Sequence, residues 1–358
     1  MHRGSHVLAA GALWALSAGL AAAESENYRV SDPVVHANLA IYFVHGTSAP
    51  GPVPLTLEEA LANGSAQVRE TGNVNELEVE NAGDTEVFIQ SGDIVKGGQQ
   101  DRVLTVSLIV PPHSGPLPIA SFCVEQGRWS ARGREDARRF ATAAAAVPSR
   151  EAKIAMKAPP AAPPAPPSAR PVVGYLMSSD TSQRQREVWS DVAKIQDKLA
   201  RAIHAPVAMP ESRSSLQLSL ENEKLKDVQG QYVKALQPAG EADGDIIGYV
   251  FAVNGKLNSA DLYPSNGLFR KMWPKLVAAN AIEAIGDQGG AADALPSTAD
   301  VLAFLKAAED GKASERPLGP DQKLKTREAE RALFFETSRL PAAPSAPATW
   351  VHRNYLAK

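Results

Sequence analysis

Cysteine is almost absent from this sequence: Cys123 is the only one in 358 residues. No intramolecular disulfide can form, so even in an oxidising compartment packing must hold the fold together. Neither charge sign dominates. With 37 Lys and Arg against 40 Asp and Glu, the formal net charge is −3, which gives none of the basic surface that nucleic acid binding requires. Past residue 23, no apolar run approaches the ~20 residues that span a bilayer, so no membrane span is expected in the mature protein. HExxH, CxxC, GxSxG and GxGxxG do not occur, and histidines 36, 45, 113, 204 and 352 are not paired at metal-ligand spacing. These absences argue against common metalloenzymes and serine hydrolases of familiar type, and no metal or cofactor is expected.

What is present begins with a leader. Met1 to His6 carries Arg3, Val7 to Leu20 is uncharged, and Ala21-Ala22-Ala23 sets small residues at the −3 and −1 positions before Glu24. This is the three-part pattern of a secretory signal. It predicts cleavage near Ala23 and a periplasmic or secreted product. No cysteine follows the cleavage point, so a lipid anchor is not expected.

The remaining chain reads as α+β, organised as 1–23 signal peptide, 24–157 β-rich half, 158–171 Pro/Ala-rich linker or insertion, and 172–358 an α+β half of the same domain. The apolar run of residues 37–46 predicts a strand buried on both faces, and 55–64 a short helix capped by Thr56 and stopped by Gly64. Residues 76–81 and 86–93 alternate as strands around a turn at 81–84, 103–110 reads as one β-branched strand, and 118–125 as another. Seven prolines between 158 and 171 require an extended connector. Helical spacing of Val188, Val192, Ile195, Leu199 and Ile203 follows, with Ser179 or Ser182 as its cap. Asn254-Gly255 then marks a hairpin over 246–263. Pro274 suits the first turn of a helix through 276–285, and Ser297 with Asp300 opens another through 301–309. Residues 331–338 read as a returning strand and 340–350 as a Pro/Ala-rich tail segment.

Two stretches concentrate chemistry. In residues 91–102, Gly92 and Gly97 stand at phosphate-loop spacing, but Gly98-Gln99 replaces the Lys-Ser/Thr that such a loop needs. What remains is Asp93, Gly97, Gly98, Gln99, Asp101 and Arg102 in one connection between two strands. Its backbone N–H groups are suited to cradle an anion. The same glycines equally serve a solvated hairpin loop. The second stretch is 123–129. Alternation sends Cys123 and Glu125 to one face. A thiol beside a carboxylate is a poor nucleophile, because negative charge raises its pKa; Glu125 is the better general acid or base. Arg128 has the geometry to hold phosphate or carboxylate bidentately, and Trp129 offers a stacking face.

Residues 92–104 and 110–129, with 38–46, 54–70, the Gln185–Trp189 helix start, 254–276 and His352, resemble the domain named for its association with ARG and rhodanese-phosphatase-superfamily proteins. The resemblance covers nearly the whole mature chain and departs at the proline segment. It implies a site at Asp93, Gln99, Asp101, Arg102, Cys123, Glu125, Arg128 and Trp129, and draws in Gln185, Trp189, Asn254 and Asp261. From the family's company it implies a ribose-phosphate or nucleotide-derived ligand. The resulting expectation is an exported protein that binds, and processes if it is an enzyme, a small anionic ligand. Asp93 and Glu125 are then the candidate acid and base, and Gly97, Gly98, Gln99, Asp101, Arg102, Arg128 and Trp129 the binding residues. The alternative is a non-catalytic envelope scaffold.

Overall fold

The computed structural model describes residues 28–128, 130, 139–157, 181–290, 293–341 and 349–358. The leader, the proline segment, the Ser179 cap and Trp129 lie outside the described residues. The architecture is α+β, with 18 strands and 7 helices among the described residues.

The largest sheet runs β1 (Arg29–Val30), β3 (Leu39–His45), β13 (Ile246–Val253), β14 (Lys256–Leu262), β18 (Thr349–Ala357), β17 (Ala332–Arg339), β16 (Gln322–Glu328) and β15 (Lys312–Pro317), with β2 (Val34–His36) against β3. A second has the order β12 (Phe140–Thr142), β8 (Ile94–Gly97), β9 (Arg102–Leu104), β11 (Leu117–Cys123), β6 (Glu76–Asn81) and β5 (Ala66–Glu70). A third joins β10 (Leu108–Val110), β7 (Val87–Ile89) and β4 (Leu55–Thr56). The helices are α1 (Leu57–Ala62), α2 (Arg150–Lys157), α3 (Thr181–Ala202), α4 (Leu216–Leu220), α5 (Glu223–Gly240), α6 (Asn266–Gly286) and α7 (Thr298–Glu309).

Several local expectations hold for the reasons given. All seven residues of β3 are buried, as a strand covered on both faces should be. Thr56 and Glu59 close a capping box at α1, and Ser297 with Asp300 does the same at α7. Asn254 and Gly255 both take positive φ, 52° and 77°, and pair Val253 with Lys256.

Tertiary structure overrides other expectations. The apolar run 103–110 is two strands, because β9 pairs with β8 and β11 while β10 pairs with β7. The chain crosses between sheets at Thr105 to Ser107. β6 and β7 likewise fall in different sheets, so the turn at 81–84 joins layers rather than hairpin partners. The connection 91–102 contains a strand of its own, β8. α6 begins at Asn266, capped by Ser265, and Pro274 sits inside it. The lost backbone bond is outweighed by burial of Phe269, Met272 and Trp273 before it and of Leu276 and Val277 after it. Trp273 packs against Phe43, Phe269 and Tyr249 and donates its indole N–H to Gln237 O at 2.9 Å. Past Trp350, where no element was expected, β18 runs to Ala357.

Two buried glutamines stand in for strand neighbours. Gln322 accepts from Ile109 N and donates to Ile109 O, both at 2.8 Å. Gln185 on α3 accepts from Cys123 N and donates to Cys123 O, both at 2.9 Å. Each amide ties one layer to another where no ladder continues.

Candidate functional site

The sequence-predicted residues divide into two groups. Gly97, Gly98, Asp101, Arg102, Glu125 and Arg128 gather where β8, β9 and the end of β11 meet. There Arg128 donates from Nε to Glu125 Oε2 at 2.7 Å, and from Nη1 and Nη2 to the carbonyls of Gly98 and Gly97 at 3.2 and 3.3 Å. Asp101 Oδ1 lies 3.5 Å from Arg128 Nη2 and accepts the Gly97 N–H at 3.1 Å, while its Oδ2 accepts from Ser215 at 2.9 Å. Arg102 donates to Gln100 at 3.0 Å and to Glu70 at 3.4 Å. Both guanidiniums are buried, Arg102 to 1% and Arg128 to 9% side-chain exposure. The anion cradled by this glycine turn is the protein's own Asp101. The glycines answer to close packing: a Cβ on Gly98 would stand 2.3 Å from Phe140 Cζ, and one on Gly97 2.6 Å from Arg139 O. Gln99 is exposed, and its N–H bonds Glu70. Trp129 lies outside the described residues.

Cys123 is buried next to this group, and burial pushes its thiol up to about 11. At pH 8 only ~10⁻³ of such a thiol is ionised. Ellman-type reagents should therefore label Cys123 only as fast as the protein opens, and rapid labelling of the native protein would contradict the burial.

Asp93 belongs elsewhere. The Gly92-Asp93 turn, with Gly92 at φ 97°, aims the carboxylate into the interior. There Oδ1 meets Lys275 of α6 at 2.8 Å and Oδ2 accepts the Gln90 N–H at 3.0 Å. Gln90 Oε1 in turn accepts from Tyr263 OH at 2.5 Å. Asp93 also contributes to the electrostatic environment of His352, and this leads to a cluster that residue spacing did not reveal.

At the centre of that cluster, Ser107 Oγ lies 2.9 Å from His352 Nδ1, and His352 Nε2 lies 3.2 Å from Asp261 Oδ1. Register builds this arrangement. Asp261 of β14 sits opposite Asn354 of β18, and Thr337 of β17 opposite His352, with an irregularity in the pairing just after Thr337. Ser107 is at the crossing between β9 and β10, fixed by Thr337 Oγ1 donating to its carbonyl at 2.7 Å. Tyr249 OH and Asn354 Nδ2 donate to the two oxygens of Asp261 at 3.0 and 2.8 Å.

The electrostatics decide the proton positions. Burial raises the Asp261 carboxyl, but His352, Lys153 and Lys157 outweigh it and bring it to about 2. Burial lowers His352, with the Phe88 and Tyr263 rings 5.8 and 5.0 Å away. His352 Nε2 stands 3.2 Å from Asp261 Oδ1 without hydrogen-bond geometry; the tautomer with its proton on Nε2 is the one that leaves Nδ1 free to act as a base toward Ser107. Ser107 then donates to Nδ1 and itself accepts the Ser91 N–H at 2.9 Å. A serine, a neutral histidine and an ionised carboxylate thus stand in series.

Ser91, Thr105, Ser107, Lys157, Arg316, Thr337, His352 and Asn354 line a cavity of ≈ 20 Å³ beside this series, room for about one water. Lys157, the last residue of α2, donates to Asn354 Oδ1 at 2.5 Å and lies 4.9 Å from the Phe335 ring centre. Burial lowers its ammonium to about 7. The folded protein therefore binds fewer protons than the unfolded chain between pH 7 and the ordinary lysine range. Stability should rise with pH across that window, and below pH 7 the cost of the buried charge is fully present. Lys157→Met should gain about 1–3 kcal/mol at pH 7 and flatten that rise. Urea titrations from pH 7 to 10 check this, and parallel curves for the two proteins would contradict it.

Elsewhere among the described residues, His45, Asp243 and Asp245 hold ligand atoms within 4.8 Å of one another, but Asp245 is already shared by His45 at 2.7 Å and Arg29 at 3.2 Å.

Fold and site together define an α+β protein whose sheets and α2 enclose a buried polar centre. The model of the ARG and Rhodanese-Phosphatase-superfamily-associated Protein domain matches residues 27–355, and the chain belongs to that family. No curated protein and no solved structure matches it. Among the described residues, no helix is long and apolar enough to cross a membrane.

Proposed function

We propose that the mature chain acts outside the cytoplasm and hydrolyses an ester of a small anion, with Ser107 as nucleophile. The observation that carries this reading is the Ser107–His352–Asp261 series beside a cavity that also holds Lys157 and Arg316. Ser107 Oγ attacks the carbonyl or phosphoryl centre as His352 Nδ1 takes its proton. The leaving alcohol recovers that proton, and water then cleaves the Ser107 ester by the reverse path. Asp261 holds the ring orientation and balances the imidazolium. Lys157 and Arg316 offer positive charge to the anionic group. Only the reactive tip of a substrate fits the space beside Ser107.

The test is a panel of phosphate and carboxylate esters, with a fluorophosphonate probe followed by peptide mapping. Turnover and labelling should both depend on Ser107 and vanish in Ser107→Ala. Turnover that survives this substitution removes Ser107 from the mechanism. For the location, sequencing the mature amino terminus from a cell-envelope fraction should read from Glu24.

A scaffold reading is favoured by one observation, the Arg128–Glu125–Asp101–Ser215 network, which ties the β-rich half to the cap of α4. The two readings part in the same experiment, because a scaffold neither turns over esters nor labels at Ser107.

A further inference from the structure

A second site opens at the other end of α2. Arg150 and Glu151 at the start of this helix, the end of α6, part of α3 and the β13–β14 hairpin surround a cleft of ≈ 480 Å³. This lies within the range of small-molecule sites. Three buried polar atoms of its lining residues lack hydrogen-bond partners: Asn258 Oδ1, Glu283 Oε2 and Arg150 Nε. The opposite ends of two of these groups are held in place. Asn258 Nδ2 donates to Glu283 Oε1 at 2.7 Å, and the Arg150 N–H reaches the same oxygen at 3.3 Å. Arg201 and Lys256 are exposed and line the same cleft, as does Lys198.

We propose that this cleft is a separate ligand site for a hydroxyl-rich anion of the sugar-phosphate type. Two free acceptors and one free donor match vicinal hydroxyls, which both give and accept hydrogen bonds. An anion without hydroxyls would leave both acceptors unmatched, and a metal ion would face Arg150. The phosphate goes to Arg201 and Lys256 at the rim. Each of the three unpartnered atoms exposes less than 1 Å², so a ligand meets Asn258 and Glu283 by exchanging the hydrogen bond between them for bonds to its own hydroxyls. Burial also holds the Glu283 carboxyl up at about 7, which eases its contact with hydroxyls on either side of neutrality. The site does not depend on the hydrolytic reading above, since none of its residues lines the cavity beside Ser107.

Titration calorimetry on the mature chain tests it, using ribose 5-phosphate, glucose 6-phosphate and glycerol 3-phosphate, with glucose and inorganic phosphate as partial ligands. At least one phosphorylated polyol should bind more tightly than glucose and phosphate alone. Arg201→Ala with Lys256→Ala should weaken it tenfold or more, and the near-isosteric Glu283→Gln should weaken it by a similar factor. Lys157→Met should leave it unchanged. Absence of binding by all three phosphates overturns the proposal, as does unchanged affinity in the rim variant. Loss in Lys157→Met alone would assign the ligand to the interior cavity and equally overturn it.

Discussion

Lys275→Met should destabilise the protein by about 3–5 kcal/mol, a large fraction of the total stability of an ordinary domain. Lys275 and Asp93 are 7% and 2% exposed at the side chain and 2.8 Å apart. Two buried charges at that distance repay much of each other's desolvation, but one left alone repays none. Asp93 is 2% exposed, and its remaining bond, from the Gln90 N–H, does not neutralise it. The double variant Asp93→Asn, Lys275→Met should recover most of the loss, because Asn still accepts from Gln90 and no charge remains. Urea unfolding of the two single variants and the double measures the coupling directly. A loss under about 1 kcal/mol for Lys275→Met, or a double variant no better than the single, would show that Asp93 is not held as a buried ion. The same cycle bears on the sequence-based role of Asp93 as acid or base, since both of its oxygens are already engaged, by Lys275 and by the Gln90 N–H.

The second large effect concerns rate. If Ser107 is the nucleophile, Ser107→Ala and His352→Ala should each lower kcat/KM by ~10³-fold or more, and the double variant should be little worse than either. Residues that act as a unit fail as a unit. Asp261→Asn should cost a comparable factor, because an amide can donate to Nε2 and so favour the tautomer with its proton on Nδ1, facing Ser107. The pH profile carries a further signature. The acid limb should fall below the ordinary histidine value, since burial lowers His352. If Lys157 binds the anion as a cation, activity should decline above pH 7, where its ammonium is lost. Lys157→Arg should move that upper limb several units higher, because a guanidinium stays charged. Additive losses in the double variant, or an upper limb unmoved in Lys157→Arg, would count against the assignment.

Local signals were legible wherever one residue's backbone preference or one segment's periodicity decided the outcome. Thr56 and Ser297 found their capping partners three residues on, Asn254-Gly255 turned the hairpin, and β3 was recognisable from its continuous apolar run. Where two packing layers competed for one apolar run, periodicity failed. Residues 103–110 look like a single strand, and only the pairing of β9 with β11 and of β10 with β7 shows the break at Thr105 to Ser107. Pro274 read as a helix start because its cost in a helix interior is local, while the burial of Phe269 and Trp273 that offsets it is not.

Composition, the absence of a disulfide, the α+β pattern and the charged stretches 91–102 and 123–129 are properties of the sequence alone. The demand for glycine at 97 and 98 is not, because it arises from their positive φ and from Arg139 and Phe140 packed against them. What those stretches do was decided by tertiary structure. It gave Arg102 and Arg128 the protein's own carboxylates and sent Asp93 to Lys275. It also brought Asp261 and His352, 154 and 245 residues beyond Ser107 along the chain and on two strands of one sheet, against Ser107 at the crossing between β9 and β10. Hydrogen bonding acts over about 3 Å, whereas sequence patterns report neighbours within a few turns of chain. A site assembled from strand register and sheet crossings therefore leaves no local trace.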